Sequence, residues 1–228
     1  MLRPQIRNAF APRAVSAFQA GPTGGLQVRA EASEILMYGP IGDYWGDGSG
    51  IAADRVVGAL AAMASNPVTV RINSPGGDVF EGYAIRNALA QHAPGVTVIV
   101  DSIAASAASF IAIAGQKMRM HDMSVFMIHR ASTVAWGHDT DMLATAELLA
   151  KIDGMLLADY VRKTGGDAAA LKAAIDKETY YTAAEALEAG FCDEVIAATA
   201  KPEPAKPDAA ARARAQARLR LAGLEGVL

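Results

Sequence analysis

The stretch Val96–Gly115, V-T-V-I-V-D-S-I-A-A-S-A-A-S-F-I-A-I-A-G, decides how the chain is read. Its first five residues, Val96–Val100, are all β-branched and mostly apolar, which suits a buried strand. Asp101-Ser102 reads as a turn. A helix of small and apolar residues is expected over Ala105–Gly115. At a strand-to-helix turn the first helical N–H groups have no intrahelical partner, and the helix dipole is positive there. A serine in that place has the surroundings a nucleophile needs when its substrate develops an oxyanion. Three serines compete for the position. Ser102 and Ser109 read as small residues that let neighbouring elements approach closely. Ser106 stands at the helix start inside A-A-S-A-A. Its alanine neighbours leave room for a substrate backbone, and the Ala107 N–H is free to point at an oxyanion.

The preceding segment repeats the pattern. Val68–Ile72 is a strand, N-S-P-G-G-D at 73–78 a sharp turn, and Val79–His92 a helix ended by Pro94-Gly95. Strand, turn and helix thus recur at 68–92 and 96–115, which argues for an α/β spiral of ββα units. A dinucleotide-binding sheet is disfavoured, because no G-x-G-x-x-G follows a strand and no P-loop lysine motif occurs. In S-P-G-G (74–77) two glycines expose N–H groups with no side chain in the way. The turn is either plain or a second oxyanion donor at Gly76 or Gly77, with an edge to which an extended peptide can add.

Further toward the N-terminus, Glu34–Gly39 reads as the first strand and the segment to Gly50 as a glycine-rich loop. Tyr44 and Trp45 in that loop are a docking surface or a lid. Ile51–Ser65 is helical, with Val56, Val57, Leu60, Ala61 and Met63 on one face. On the other side, Lys117–Met120 is a short strand, and the apolar strand Ser124–Ile128 delivers His129 at its end. Asp139–Lys163 is a long periodic helix, capped by Asp139 and Asp141 and closed by Gly165-Gly166. Ala168–Ile175 is a helix and Thr179–Tyr181 a strand. T-A-A-E at 182–185 is a capping box for a helix that stops at Gly190, before a last strand, Phe191–Ile196.

Of the four histidines, His92 and His121 read as surface residues and His138 as part of an exposed loop. His129 alone follows a continuous apolar strand, and a neutral imidazole is the usual base for a serine hydroxyl. Cys192, the single cysteine, excludes an internal disulfide and reads as a small core residue in a reducing compartment.

With 228 residues, 52% hydrophobic and 6% aromatic, the core is built mainly from aliphatic side chains. Residues 1–30 carry four arginines and no acid, and 201–228 carry six basic and three acidic residues. Residues 31–200 hold eleven basic against twenty-one acidic residues, which argues against nucleic acid as a partner. No apolar run reaches the ~18 residues of a membrane span. The expected organisation is a flexible basic arm (1–33), one domain (34–196), and an Ala/Pro linker with a basic tail (197–228).

Four motifs, in order, carry a resemblance: N-S-P-G-G-D-V-F-E-G-Y-A-I (73–85), A-A-S-A-A-S-F-I-A-I-A-G (104–115), M-I-H-R-A-S (127–132) and E-T-Y-Y-T-A-A-E-A-L-E-A-G-F-C-D (178–193). Over about 34–196 the chain resembles ClpP-type serine peptidases, most of all the phage head maturation (prohead) proteases. The resemblance implies a ClpP/crotonase-like fold with Ser106 as nucleophile and His129 as general base. It implies an oxyanion hole from Gly76, alone or with Gly77, and the Ala107 N–H. The helix 139–163 would be the handle through which homo-oligomeric rings stack. No cofactor or metal is implied. Substrates would be proteins, a capsid or scaffold precursor, processed in the bacterial host cytoplasm at the prohead. The family usually supplies an aspartate as third triad member, where this chain has Glu178, with Asp176 two residues earlier as the alternative. A crotonase-type acyl-CoA enzyme, a non-catalytic ring or scaffold component, and a housekeeping ClpP working with an ATP-dependent unfoldase are the competing readings.

Overall fold

In the computed structural model, residues 25–43, 46 and 48–197 are described. The expectations for most of the basic arm, for Tyr44 and Trp45, and for the linker and tail from 198 onward lie outside them.

One sheet organises the domain. Its strands are β1 (Gly25–Arg29), β2 (Glu34–Tyr38), β3 (Val68–Ser74), β4 (Val96–Ala105), β5 (Lys117–His121), β6 (Val125–Ile128), β7 (Thr179–Thr182) and β8 (Glu194–Ile196). The main order is β1-β2-β3-β4-β5-β8. All neighbours in it are parallel except β1–β2. β4 is shared: Thr97–Val100 pair with β5, and Ile103–Ala105 pair with β6. β7 runs antiparallel to β6 on its outer side. The helices are α1 (Ala53–Ala62), α2 (Val79–Gln91), α3 (Ala107–Ala112), α4 (Asp139–Thr164), α5 (Ala168–Asp176) and α6 (Ala183–Glu188). No helix among the described residues is long and apolar enough to cross a membrane.

Three expectations are corrected. Gly25–Arg29, read as part of a flexible arm, is a strand, because Leu26 is buried and the segment pairs residue for residue with β2. The turn expected at Asp101-Ser102 is a bulge within a longer strand. Ile72 pairs with Val100 and Ser74 with Ala104, so three residues of β4 face one of β3. The strand then continues to Ala105 on its pairing with β6, and the helix begins at Ala107 rather than Ala105. Ser102 is exposed at that bulge.

α3 is the centre of the core. All six of its residues are buried. α2 lies across it, so close that a methyl group at Gly82 would sit 2.8 Å from the Phe110 ring. Tyr83 stacks obliquely on Phe110, with centroids 4.9 Å apart. Below β6 and β7, Phe126, Tyr181, Phe191 and Tyr160 form a continuous aromatic cluster. Caps fix the helix ends. Asp78 accepts from Phe80 N and Glu81 N at the start of α2, and Thr182 with Glu185 form the expected capping box of α6. The α4 start is a box between His138 and Asp141, and Gly165 at φ 66° closes that helix.

Candidate active site

Ser106 joins β4 to α3. Its backbone has φ 54° and ψ −123°, a conformation costly for a residue with a Cβ. Two bonds hold it there. Its N–H donates to Met127 O on β6 at 3.0 Å, and its carbonyl accepts from Ser109 N at 2.9 Å. The Ser109 hydroxyl donates to the same carbonyl at 2.5 Å. A serine hydroxyl has one proton, so Tyr160 OH, 2.6 Å away on α4, donates to Ser109 Oγ. Ser109, read as a packing serine, is fully buried and also underpins the elbow.

His129 leaves β6 one residue after Ile128. Its Nε2 lies 2.6 Å from Ser106 Oγ. With the serine as donor, Nε2 is the unprotonated nitrogen and the ring proton sits on Nδ1. Burial pushes the imidazole pKa below its ordinary value. The charges of Glu178 and then Asp153 oppose that shift.

The two candidate acids differ in their engagements. Asp176 is held by Lys172 at 2.6 Å, with Arg130 at 3.8 Å. Glu178 accepts only from Tyr180 OH, at 3.0 Å, among the described residues. It acts on His129 through its charge rather than a hydrogen bond in this conformation. Its backbone, at φ 54°, is the second strained position near the site. Glu178, Asp176, His129, Leu149 and Ile175 share a cavity of about 370 Å³ with the segment after His129.

Gly76 reaches this centre from the β3–α2 turn. A methyl group there would lie 2.6 Å from Ala105 O, 2.6 Å from Ser106 Cβ and 2.9 Å from Ala107 N. The Gly76 N–H donates to Ser74 Oγ at 3.2 Å. Gly77 faces the other way with its Cα. A methyl on it would meet Ile41 O at 2.1 Å, because Ile41 and Gly77 form a parallel bridge. The Ala107 N–H is in the first turn of α3 and lies beside Gly76.

The other histidines sit apart. His92, expected at the surface, is 8% exposed, with Nε2 2.9 Å from Asn66 O. His121, also expected at the surface, ends β5 and faces Asp101 at 3.4 Å. Two residues near the site were not singled out from sequence, Asp153 and Tyr160. Both lie next to the buried positions Ile152 and Leu156 or on that stripe of α4. Asp153 accepts from Arg130 Nε at 2.8 Å and from Ala131 N at 2.7 Å.

The Clp protease family model matches residues 30–199, so the chain belongs to the Clp protease family. ATP-dependent Clp protease proteolytic subunit 1 of Protochlamydia amoebophila (strain UWE25) is 38% identical over 134 residues. The match takes in 57% of this chain and 65% of that protein, just under two thirds of its length.

Proposed function

We propose that the chain is a serine endopeptidase that works through an acyl-enzyme. The observation that carries this reading is the 2.6 Å contact between Ser106 Oγ and His129 Nε2, with Ser106 held at the first turn of a buried helix. Family membership supports it. His129 Nε2 takes the Ser106 proton as Oγ attacks a peptide carbonyl. The imidazolium, facing the Glu178 charge, then gives that proton to the leaving amine. Water, activated by the same nitrogen, hydrolyses the ester. The oxyanion is met by the Ala107 N–H and by the Gly76–Gly77 turn. The Gly76 N–H already donates to Ser74 Oγ, which leaves the Gly77 N–H as the turn's proposed contribution. Loss of one such donor costs ~10²–10³ in rate. Every proton and charge in this sequence is handled by the chain's own groups. A fluorophosphonate probe is expected to label Ser106 and to leave Ser106→Ala unmodified; an unlabelled native protein with an intact fold would exclude the mechanism.

The substrate proposed is a phage capsid or scaffold precursor, cleaved by a homo-oligomeric ring at the prohead in the host cytoplasm, with α4 as the stacking handle. The motifs at 73–85 and 104–115 and the basic terminal segments support it. Co-expression with a candidate precursor is expected to give processing that Ser106→Ala abolishes. The similarity to a protein named as a Clp proteolytic subunit favours a second reading, a subunit that works with an ATP-dependent unfoldase. Precursor cleavage without added ATPase separates the two.

A further inference from the structure

The segment 129–138 that follows β6 has no regular structure, yet it carries the base. On one side His129 is fixed by the β6–β7 ladder, in which Ile128 pairs with Thr179. On the other side the chain is held by a carboxylate from the long helix. Asp153 Oδ1 accepts from the Ala131 N–H at 2.7 Å, and Oδ2 accepts from Arg130 Nε at 2.8 Å. The Asp153 side chain is 17% exposed, whereas that of Arg130 is 58% exposed. The ion pair is therefore the weaker half of the clamp, because exposed pairs contribute little. The bond to the backbone of Ala131 is the part that sets where the chain leaves His129.

We propose that Asp153 is a positioning residue for His129: from α4 its carboxylate pins the Arg130–Ala131 backbone and so holds the imidazole on Ser106. Its use in peptide hydrolysis rests on the peptidase reading above; the clamp itself does not. The charged groups around the imidazole are Glu178, from the α5–β7 connection, Asp176, at the end of α5, Asp153, from α4, and Arg130, held between Asp153 and Asp176. Removing Asp153 therefore has two separable effects, one on geometry and one on charge.

Two substitutions in the full chain separate them. Asp153→Asn keeps an oxygen for the Ala131 N–H but loses the charge. Asp153→Ala loses both. Two readouts are taken on each, the rate of fluorophosphonate labelling at Ser106 and the titration of the His129 ring by NMR. Asp153→Asn is expected to titrate at lower pH than the native protein while labelling at a similar plateau rate. Asp153→Ala is expected to show the same direction of titration, a displaced His129 resonance, and labelling slower by up to about 10²-fold, the cost of roughly an ångström of misplacement. A His129 resonance and titration unchanged in Asp153→Ala would overturn the proposal. So would equal plateau losses in both variants. If the native protein does not label at all, the peptidase reading falls, and the NMR titration still decides the role of Asp153. Where Asp153→Ala does not fold, Asp153→Asn and Asp153→Ser supply the same comparison.

Discussion

Gly76 is where a single added methyl group would press directly on the nucleophile. Its φ is 93°, a region that disfavours any side chain, and alanine there costs about 1–2 kcal/mol for backbone strain alone. The added Cβ would lie 2.6 Å from Ala105 O and from Ser106 Cβ and 2.9 Å from Ala107 N. Carbon atoms prefer about 3.5–4.0 Å, so the overlap approaches an ångström. None of these atoms is the free end of a flexible side chain. Two belong to the backbone and the third is the root of the nucleophile. Overpacking of this kind costs about 1–3 kcal/mol. Together the two terms come to about 2–5 kcal/mol, against about 5–15 kcal/mol of total stability for a domain. Gly76→Ala is thus expected to fold, with its urea midpoint lowered by roughly 1–2.5 M for a slope of about 2 kcal/mol/M. The clash is relieved by moving the turn away from Ser106, which takes the oxyanion donors with it, so labelling by fluorophosphonate falls by about 10²-fold. Gly58→Ala is the control. Gly58 lies in α1 with open space around it, and the same change there stabilises by about 0.5–1 kcal/mol. A Gly76→Ala protein with the native midpoint and native labelling rate would refute the reasoning.

Four further outcomes are expected. His129 acts as a base only when neutral, and burial holds its pKa below 6.5, so the acid limb of labelling against pH has its midpoint below 6.5; a midpoint above that value counts against a buried base. The unfolded chain binds that proton more readily, so the same group costs stability as pH falls below its ordinary pKa, and urea midpoints measured across that range are expected to fall with it. Glu178→Gln removes the larger of the charges that hold the imidazolium, which moves the acid limb lower still and cuts the plateau by up to ~10⁴-fold. Asp176→Asn, whose carboxylate is engaged by Lys172, leaves the limb in place, and the reverse pattern would transfer the role to Asp176. Tyr160→Phe removes the hydroxyl that donates to Ser109 Oγ and leaves a buried oxygen short of a partner, which costs about 1–3 kcal/mol in chemical denaturation; a loss well below that range would show that the hydroxyl does not support the elbow.

Much of the fold was legible because local signals and long-range pairing agree. Val68–Ile72, Ser124–Ile128 and the helix from Asp139 are apolar or periodic over enough residues to declare themselves. Where they disagree, pairing decides. Ile103-Ala104-Ala105 has the composition of a helix, yet it is a strand because β6 lies alongside. The same ladder puts Ser106 at the cap of α3 rather than inside its first turn. Gln27–Arg29 follows a Pro-Thr-Gly-Gly segment and shows too little alternation to reveal an edge strand. His92 follows a helix, and nothing near it in sequence indicates that Asn66 O waits beside its ring. Ser106 and His129 stood out because each ends or begins an element made of residues that do no chemistry. Asp153 did not, because a carboxylate in mid-helix looks solvent-facing until the loop it grips is placed over it.

The shared strand β4 has a consequence for how this centre can vary. Ala105 pairs with Met127, and the Ser106 N–H donates to Met127 O. The separation of Ser106 from His129 is therefore counted in rungs. One residue inserted or deleted in either strand shifts one partner by about 3.3 Å and turns alternate side chains to the opposite face. The spacing is digital rather than adjustable, and no intermediate setting exists between contact and none. Changes in chain length between Ile103 and His129 are tolerated best in the Gly115-Gln116 and Asp122–Ser124 connections; after His129 they are tolerated best at 134–136, between the residues that line the cavity and the cap of α4.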